Sequence, residues 1–387
     1  MERLSARLFA LRELSEQEHA SSALLRAFLR RHGFRVRSGA GGLPTAFVAR
    51  RRLGRNGPRL GLLAEYDALP DIGHACGHNL IGAAACGAAV LAARLLDRTP
   101  AEIVVYGTPA EETIGGKIVL AQAGLFRGLD AALMFHPSTE NRVDMTSLAC
   151  HSFEVEFRGR AAHAVASPEK GINALAALLG LFAALDRLRP GLPIEARMPG
   201  VILEGGRRPN IVPDRAVGRF TLRAGDLRRL ARVKRAFFAA GRAAARSVGA
   251  KVRFRAVDLP YAEMRTNGPL AEIFKEELRA LGRRTVDTPR KGMGSLDMGN
   301  VSQVVPSIHP FVAIAPKSAP LHSRAFAARA GSAPGRLGLA IASRALAATL
   351  VRAVHDPALL RAARRAFVRG GHPGGAPQAT RTAGRSR

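Results

Sequence analysis

Residues 60–64 form a short unbroken apolar run, and residues 80–96 a longer, alanine-rich one. The first predicts a buried strand and the second a buried helix. Two more strand-like runs follow at 103–106 and 131–135, with helical segments at 80–97 and at 116–124, the latter closing at Gly124. Strand, helix, strand, helix, strand is the order of a parallel α/β sheet, in which ligands gather beyond the carboxyl ends of the strands. Upstream, leucines 4, 8, 11, 25 and 29 recur at helical spacing and predict one helix over 3–32. Residues 34–36 and 46–49 are short strand candidates around a glycine-rich turn at 39–42.

From His151 the pattern changes. Phe153, Val155 and Phe157 alternate with Glu154 and Glu156, as a half-buried strand does. Residues 172–188 predict an apolar helix, 198–203 and 217–222 strands, 227–248 a basic amphipathic helix, and 252–257 another alternating strand. That order, β-α-β-β-α-β, is ferredoxin-like. It predicts a domain over 148–258 inserted into the first, one continuous mixed sheet being the alternative. After Pro260 the α/β style returns, with a helix at 267–281, a strand at 307–314, helices at 334–354 and 357–367, and a loop carrying His322. The expectation is therefore an α/β domain with a mostly parallel sheet flanked by helices, built from 1–147 and 259–368. The Gly/Pro/Arg-rich tail, 369–387, has too little to bury to fold.

Composition narrows the classes. Charged residues at 23% and apolar ones at 47% are ordinary for a soluble domain pair of 387 residues. Three cysteines, at 76, 86 and 150, offer no disulfide framework and predict a reducing, cytoplasmic setting. No signal peptide is visible, and no run approaches the ~20 apolar residues of a spanning helix, so no membrane partner is expected. The formal charge of +29 comes from 52 arginines and seven lysines against 30 acidic residues. These arginines are spread along the chain and aromatics are only 5%, which argues against a specific nucleic-acid surface with its single patch and stacking rings.

Chemistry concentrates in residues 65–79, which hold Cys76, His74, His78 and three acidic side chains. Asn79 stands where a helix N-cap belongs, so Cys76 is expected just before a helix N-terminus that favours its thiolate. A buried cysteine with two loop histidines is the plain alternative. Glu111-Glu112 follows the second strand, His136 the third, and His322 returns after the insertion. Sulfur, imidazole and carboxylate are zinc-type donors. Together Cys76, His78, Glu112, His136 and His322 suffice for two neighbouring ions, and of two adjacent carboxylates such as Glu111 and Glu112 one can ligate while the other takes a proton from a bound water. Singly, each has an ordinary structural explanation; the constellation is what points to a metal centre.

Several motifs carry a resemblance. They are Glu65-Tyr66-Asp67-Ala68-Leu69-Pro70, His74-Ala75-Cys76-Gly77-His78-Asn79, Gly107-Thr108-Pro109-Ala110-Glu111-Glu112 and Gly115-Gly116-Lys117, continued by Arg160-Ala161-Ala162-His163, Pro209-Asn210-Ile211-Val212-Pro213-Asp214, Ile308-His309-Pro310 and Leu321-His322-Ser323. The chain resembles the metallo-amidohydrolases of the aminoacylase/carboxypeptidase peptidase family. Within it the nearest branch is that of aminobenzoyl-glutamate hydrolase, auxin–amino acid conjugate hydrolases and related dipeptidases. The resemblance implies a di-metal catalytic domain with an inserted lid and dimerisation domain, and hence a homodimer. It implies two divalent ions, zinc or manganese, on Cys76, His78, Glu112, His136 and His322. It makes Glu111 the general base that activates a bound hydroxide, His163 the partner of the substrate carbonyl, and Asn210 a substrate contact. The substrate would be the amide bond of an N-acyl or N-aroyl amino acid or a dipeptide. Glu65 departs from the wider family, where a histidine stands at that position. A non-catalytic binding protein on the same fold is the alternative, and a hydrolase using the Cys76 thiol is a second.

Overall fold

Where leucine spacing predicts one helix, two form: α1 (Glu2–Leu11) and α2 (His19–Arg31). Arg12 takes a left-handed conformation, φ 49°, and ends the first. The Glu13 carboxylate then accepts the Ala20 and Ser21 N–H groups at 2.9 and 2.7 Å, satisfying the open donors of the second. The computed structural model describes residues 1–287 and 294–370, so the expected tail lies almost wholly outside the described residues. The chain divides into two units. Among the described residues the first holds 1–145, 265–287 and 300–370, and the second 146–264 with 294–299.

In the first unit β1 (Arg35–Ser38) and β2 (Phe47–Leu53) pair as an antiparallel hairpin. Next come β3 (Arg59–Ala64), α3 (His78–Leu96), β4 (Ala101–Gly107), α4 (Gly116–Gln122), β5 (Ala131–Leu133) and β6 (His136–Ser138).

The second unit follows the order β7 (Ala149–Arg158), α5 (Ala174–Leu188), β8 (Gly200–Glu204), β9 (Arg215–Ala224), α6 (Leu227–Ser247) and β10 (Lys251–Ala256). Its four-stranded sheet runs β10-β7-β9-β8, antiparallel throughout. Asn173 and Asp226 cap the two helices through their side chains. Phe153, Val155 and Phe157 join Leu178, Phe220 and Phe237 in one buried core. On the opposite face Glu154 and Glu156 pair with Arg219, Arg255, Arg215 and Arg158. The alternation read from the sequence is thus a division between core and ion-paired surface. Strand β8 lies at the sheet edge, with Val201, Ile202 and Leu203 exposed.

The chain returns to the first unit through α7 (Gly268–Ala280), capped by Asn267, and after residues 294–299 of the second unit re-enters it within α8 (Met298–Ser302). Then follow β11 (Ser307–Ile308), β12 (Phe311–Ala313), α9 (Arg324–Ala330), α10 (Ala333–His355) and α11 (Pro357–Arg369). The single strand expected over 307–314 breaks at His309-Pro310, because Pro310 has no N–H to donate to a ladder. The large sheet runs β1-β2-β4-β3-β5-β11. Strands β4, β3, β5 and β11 are parallel, and the β1–β2 hairpin adds an antiparallel edge. Helices α3 and α10 pack together. Contrary to the expectation that no segment has the length and apolarity of a span, both do, with 83% and 67% of their most apolar windows buried inside the protein. Burial within the fold accounts for that apolarity.

Candidate metal centre

Three loops at the carboxyl ends of β3, β4 and β5 bring the chemistry together. After β3 the chain turns through Leu69 and Gly73, whose backbones bond each other, and reaches Gly77 at φ 81°. A Cβ on Gly77 would fall 2.6 Å from the Pro137 ring, so only glycine lets this turn lie against the β6 segment. Gly77, and not Asn79, is the N-cap of α3. Asn79 lies inside the helix and donates from Nδ2 to Ser5 Oγ and the Ala330 carbonyl. The fold needed its amide for tertiary bonds, and an αL glycine serves the cap.

His78 is the first residue of α3 and is fully buried. Its Nδ1 donates to Asp67 Oδ1 at 2.9 Å, which fixes the tautomer and turns Nε2 toward the other site residues. Asp67 also accepts from Ser15 Oγ at 2.8 Å and the Glu112 N–H at 3.1 Å. Burial alone would raise this carboxyl, but His78 and these donors hold it down at about 2. Likewise His136 Nδ1 donates to the Pro137 carbonyl at 2.7 Å, and its Nε2 lies 3.3 Å from Cys76 Sγ. Burial, with His78 nearby, lowers His136 to about 4, so the ring is neutral and able to ligate. His322 adopts φ 62° and donates its N–H to the Ala75 carbonyl, which sets Nε2 3.4 Å from Glu112 Oε1.

The donor atoms fall into three overlapping groups, each spanning no more than 4.8 Å: Cys76, His78 and His136; Cys76, Glu112 and His322; His78, Glu111 and Glu112. Cys76, His78 and Glu112 each belong to two groups, the layout two adjacent cations require. Buried atoms test the fit. His78 Nε2, Glu112 Oε1 and Glu65 Oε2 are all buried without a hydrogen bond, although Glu65 Oε2 lies 3.3 Å from His78 Nε2 and Glu112 Oε1 3.9 Å from it. Unsatisfied buried donors and acceptors are costly, and a divalent ion among them removes the cost. The residues present fit the metal.

One expectation fails in its physical reason. The helix N-terminus does not make Cys76 a thiolate: burial pushes its thiol well above the ordinary range and outweighs the attraction of His78. A thiol nucleophile is disfavoured accordingly, whereas a coordinated cation strips the proton from a ligating thiol outright.

A model of peptidase family M20/M25/M40 matches residues 61–326. The chain belongs to that family. It is 38% identical to the Xaa-Arg dipeptidase of Mus musculus over 84% of its length and 78% of that protein. It is 33% identical to one of the polypeptides of the p-aminobenzoyl-glutamate hydrolase of Escherichia coli strain K12, over 56% of its length and 48% of that one. The fold matches the YXEP protein of Bacillus subtilis, an M20 dinuclear metal-binding peptidase, with a TM-score of 0.68 at 20% identity, covering 92% of this chain and 99% of that one. As an M20 member the chain is a metal-dependent hydrolase of amide bonds.

The M20 site contains more than the sequence suggested. Lys117, read only as part of a Gly-Gly-Lys motif, is wholly buried and ion-paired with Glu65. His309 is buried as well, its ring 5.5 Å from that of His136, and burial drives it well below its usual range. The available signal was a lone lysine inside the apolar run 114–120, a residue that burial demands be paired. His163 and Asn210 belong to the second unit, where the Ala164 N–H donates to the Asn210 carbonyl at 2.9 Å and joins their two segments. His163 is exposed, and its Nδ1 accepts the Val165 and Ala166 N–H groups at 3.3 and 3.1 Å.

Proposed function

We propose that this M20 hydrolase cleaves dipeptides or N-acyl amino acids with two divalent ions held by Cys76, His78, Glu112, His136 and His322. The observation that carries the reading is the overlap of three donor groups on Cys76, His78 and Glu112. Thiolate favours zinc, and the imidazole and carboxylate donors suit manganese as well, so these two are the metals to test. When bound, the ions supply Lewis acidity at the carbonyl and a water of low pKa. Glu111 takes the proton of the attacking water and passes it to the leaving amine. Asp67 keeps His78 in the tautomer that offers Nε2. His163 donates from Nε2 to the carbonyl oxygen as negative charge builds on it, and Asn210 holds the substrate nearby.

The same reading makes the protein a cytoplasmic homodimer joined through its second unit. Supporting it, strand β8 offers an unpaired edge with exposed Val201, Ile202 and Leu203, a surface suited to strand pairing. All three cysteines are free and buried, which accords with a reducing compartment. The mouse relative makes Xaa-Arg dipeptides the first substrates to try, followed by p-aminobenzoyl-glutamate and N-acyl amino acids. The protein is stripped with a chelator, reloaded with zinc or manganese, and assayed on that panel, with metal content measured in parallel. Activity should return with one of the two metals. A protein that takes up no metal and cuts nothing sinks the reading, and one that binds metal without cutting any amide favours the binding-protein alternative.

A further inference from the structure

We infer that Glu65 and Lys117 are a charge-setting pair for the metal centre, Glu65 contributing a further carboxylate to its field and Lys117 restraining that charge. The inference rests on the metal-centre reading above. Glu65 follows β3 directly and is 2% exposed. One of its oxygens, Oε1, meets Lys117 Nζ, while Oε2 has no hydrogen bond and lies 3.3 Å from His78 Nε2, which has none either. Lys117 reaches this point because Gly116 lies against the Pro109 carbonyl, where a Cβ would come within 1.9 Å of the oxygen. The geometry therefore delivers an ammonium to the inner wall of a site lined by His78, Cys76 and His136.

A buried ion pair is weak as a stabilising device, because apolar residues of the same size usually serve as well. This one ends on an oxygen aimed at a ligand nitrogen, a placement that packing alone does not explain. Its charges act directly on a bound cation. At an effective dielectric of about 20, a unit charge within roughly 6 Å of a divalent ion shifts its affinity well beyond tenfold. Glu65 alone would tighten the site and Lys117 alone would loosen it; together they nearly cancel. Both are positioning residues, since neither needs to touch the substrate.

The test is metal affinity by chelator competition for the full chain and for Lys117→Met, Glu65→Gln and the double variant, with folding checked by circular dichroism. Lys117→Met should bind zinc or manganese at least about tenfold more tightly, and Glu65→Gln at least about tenfold more weakly. The double variant should return to within about threefold of the wild type, because the two opposite charges act additively on the bound ion. Lys117→Gln, which keeps a hydrogen bond to Glu65 without the charge, is the second variant should Lys117→Met not fold, and its shift should have the same sign. A pair that serves packing alone predicts shifts of the same sign or none in the single variants, and either result overturns the inference. A wild-type protein that binds no metal overturns the metal-centre reading along with it, whereas a wild type that binds and variants that do not diverge overturn only the pair.

Discussion

The proposed division of work within the Glu111-Glu112 pair rests on the surroundings of Glu112. The Glu112 N–H is held by Asp67, and its Oε1 is buried between His78 and His322 at 3.9 and 3.4 Å with no hydrogen bond. Burial alone would raise the Glu112 carboxyl, but His322 and His78 keep it low, so it is ionised and ready to ligate. Glu112→Gln should therefore lose metal, because a charged ligand is replaced by a neutral one. Glu111→Gln should keep its metal and lose about 10²–10⁴-fold in turnover, because an amide cannot accept the proton. Elemental analysis and turnover on the same preparations decide the matter; the reverse outcome would exchange the two roles.

Two elements depend on single residues in ways that can be measured. The turn from β3 into α3 needs Gly77 at φ 81° with Pro137 against its open face. Gly77→Ala should cost roughly 1–3 kcal/mol, the range for a non-glycine residue held in a sparsely populated conformation, with Pro137 adding to it. Urea unfolding checks this, and a loss of only a few tenths would mean that the turn relaxes. On β7, His151 Nδ1 faces Lys234 Nζ of α6 at 3.1 Å, Nε2 faces the Asp258 carbonyl at 3.1 Å with the Asp258 carboxylate at 4.0 Å, and the ring lies against Phe153. Burial first, then Lys234, lowers His151 to about 4 from an ordinary 6.5. Between those values the unfolded chain binds the proton and the folded one does not, so stability falls as pH drops from about 6.5 toward 4. Replacing His151 with Leu should flatten the pH dependence of the urea midpoint in that window; an unchanged slope would assign the acid sensitivity to other groups.

At the scale of the whole molecule, the proposed dimer and the proposed role of His163 are one question. If His163 of one protomer serves the metal centre of its partner, Glu111→Gln and His163→Ala are each nearly inactive alone. Mixed after protomer exchange, they form heterodimers in which one centre has both Glu111 and His163 intact. Activity should then reappear, up to about half of the wild-type rate per heterodimer if the centres act independently. Heterodimers proven by mass and still inactive would return His163 to its own protomer.

The strands ending at the site, the sequence order of the second unit's elements and the presence of donor-type side chains at Cys76, His78, Glu111, Glu112, His136 and His322, which the fold gathers, are legible in the chain; the roles of those side chains are proposals. Burial imposes continuous apolar runs on β3 and β4 and alternation on β7, and metal chemistry restricts the donor types. The break between α1 and α2, the cap at Gly77, the neutral thiol of Cys76 and the Glu65–Lys117 pair are not legible there. Each depends on what lies opposite a residue after folding: Ala20 and Ser21 for Glu13, Pro137 for Gly77, a dry surrounding for Cys76 and Gly116 against Pro109 for Lys117. Local pattern carries periodicity and residue type. Desolvation and close approach between distant segments exist only once the chain has closed on itself, and in this protein they decide which donors face the site and with what charge.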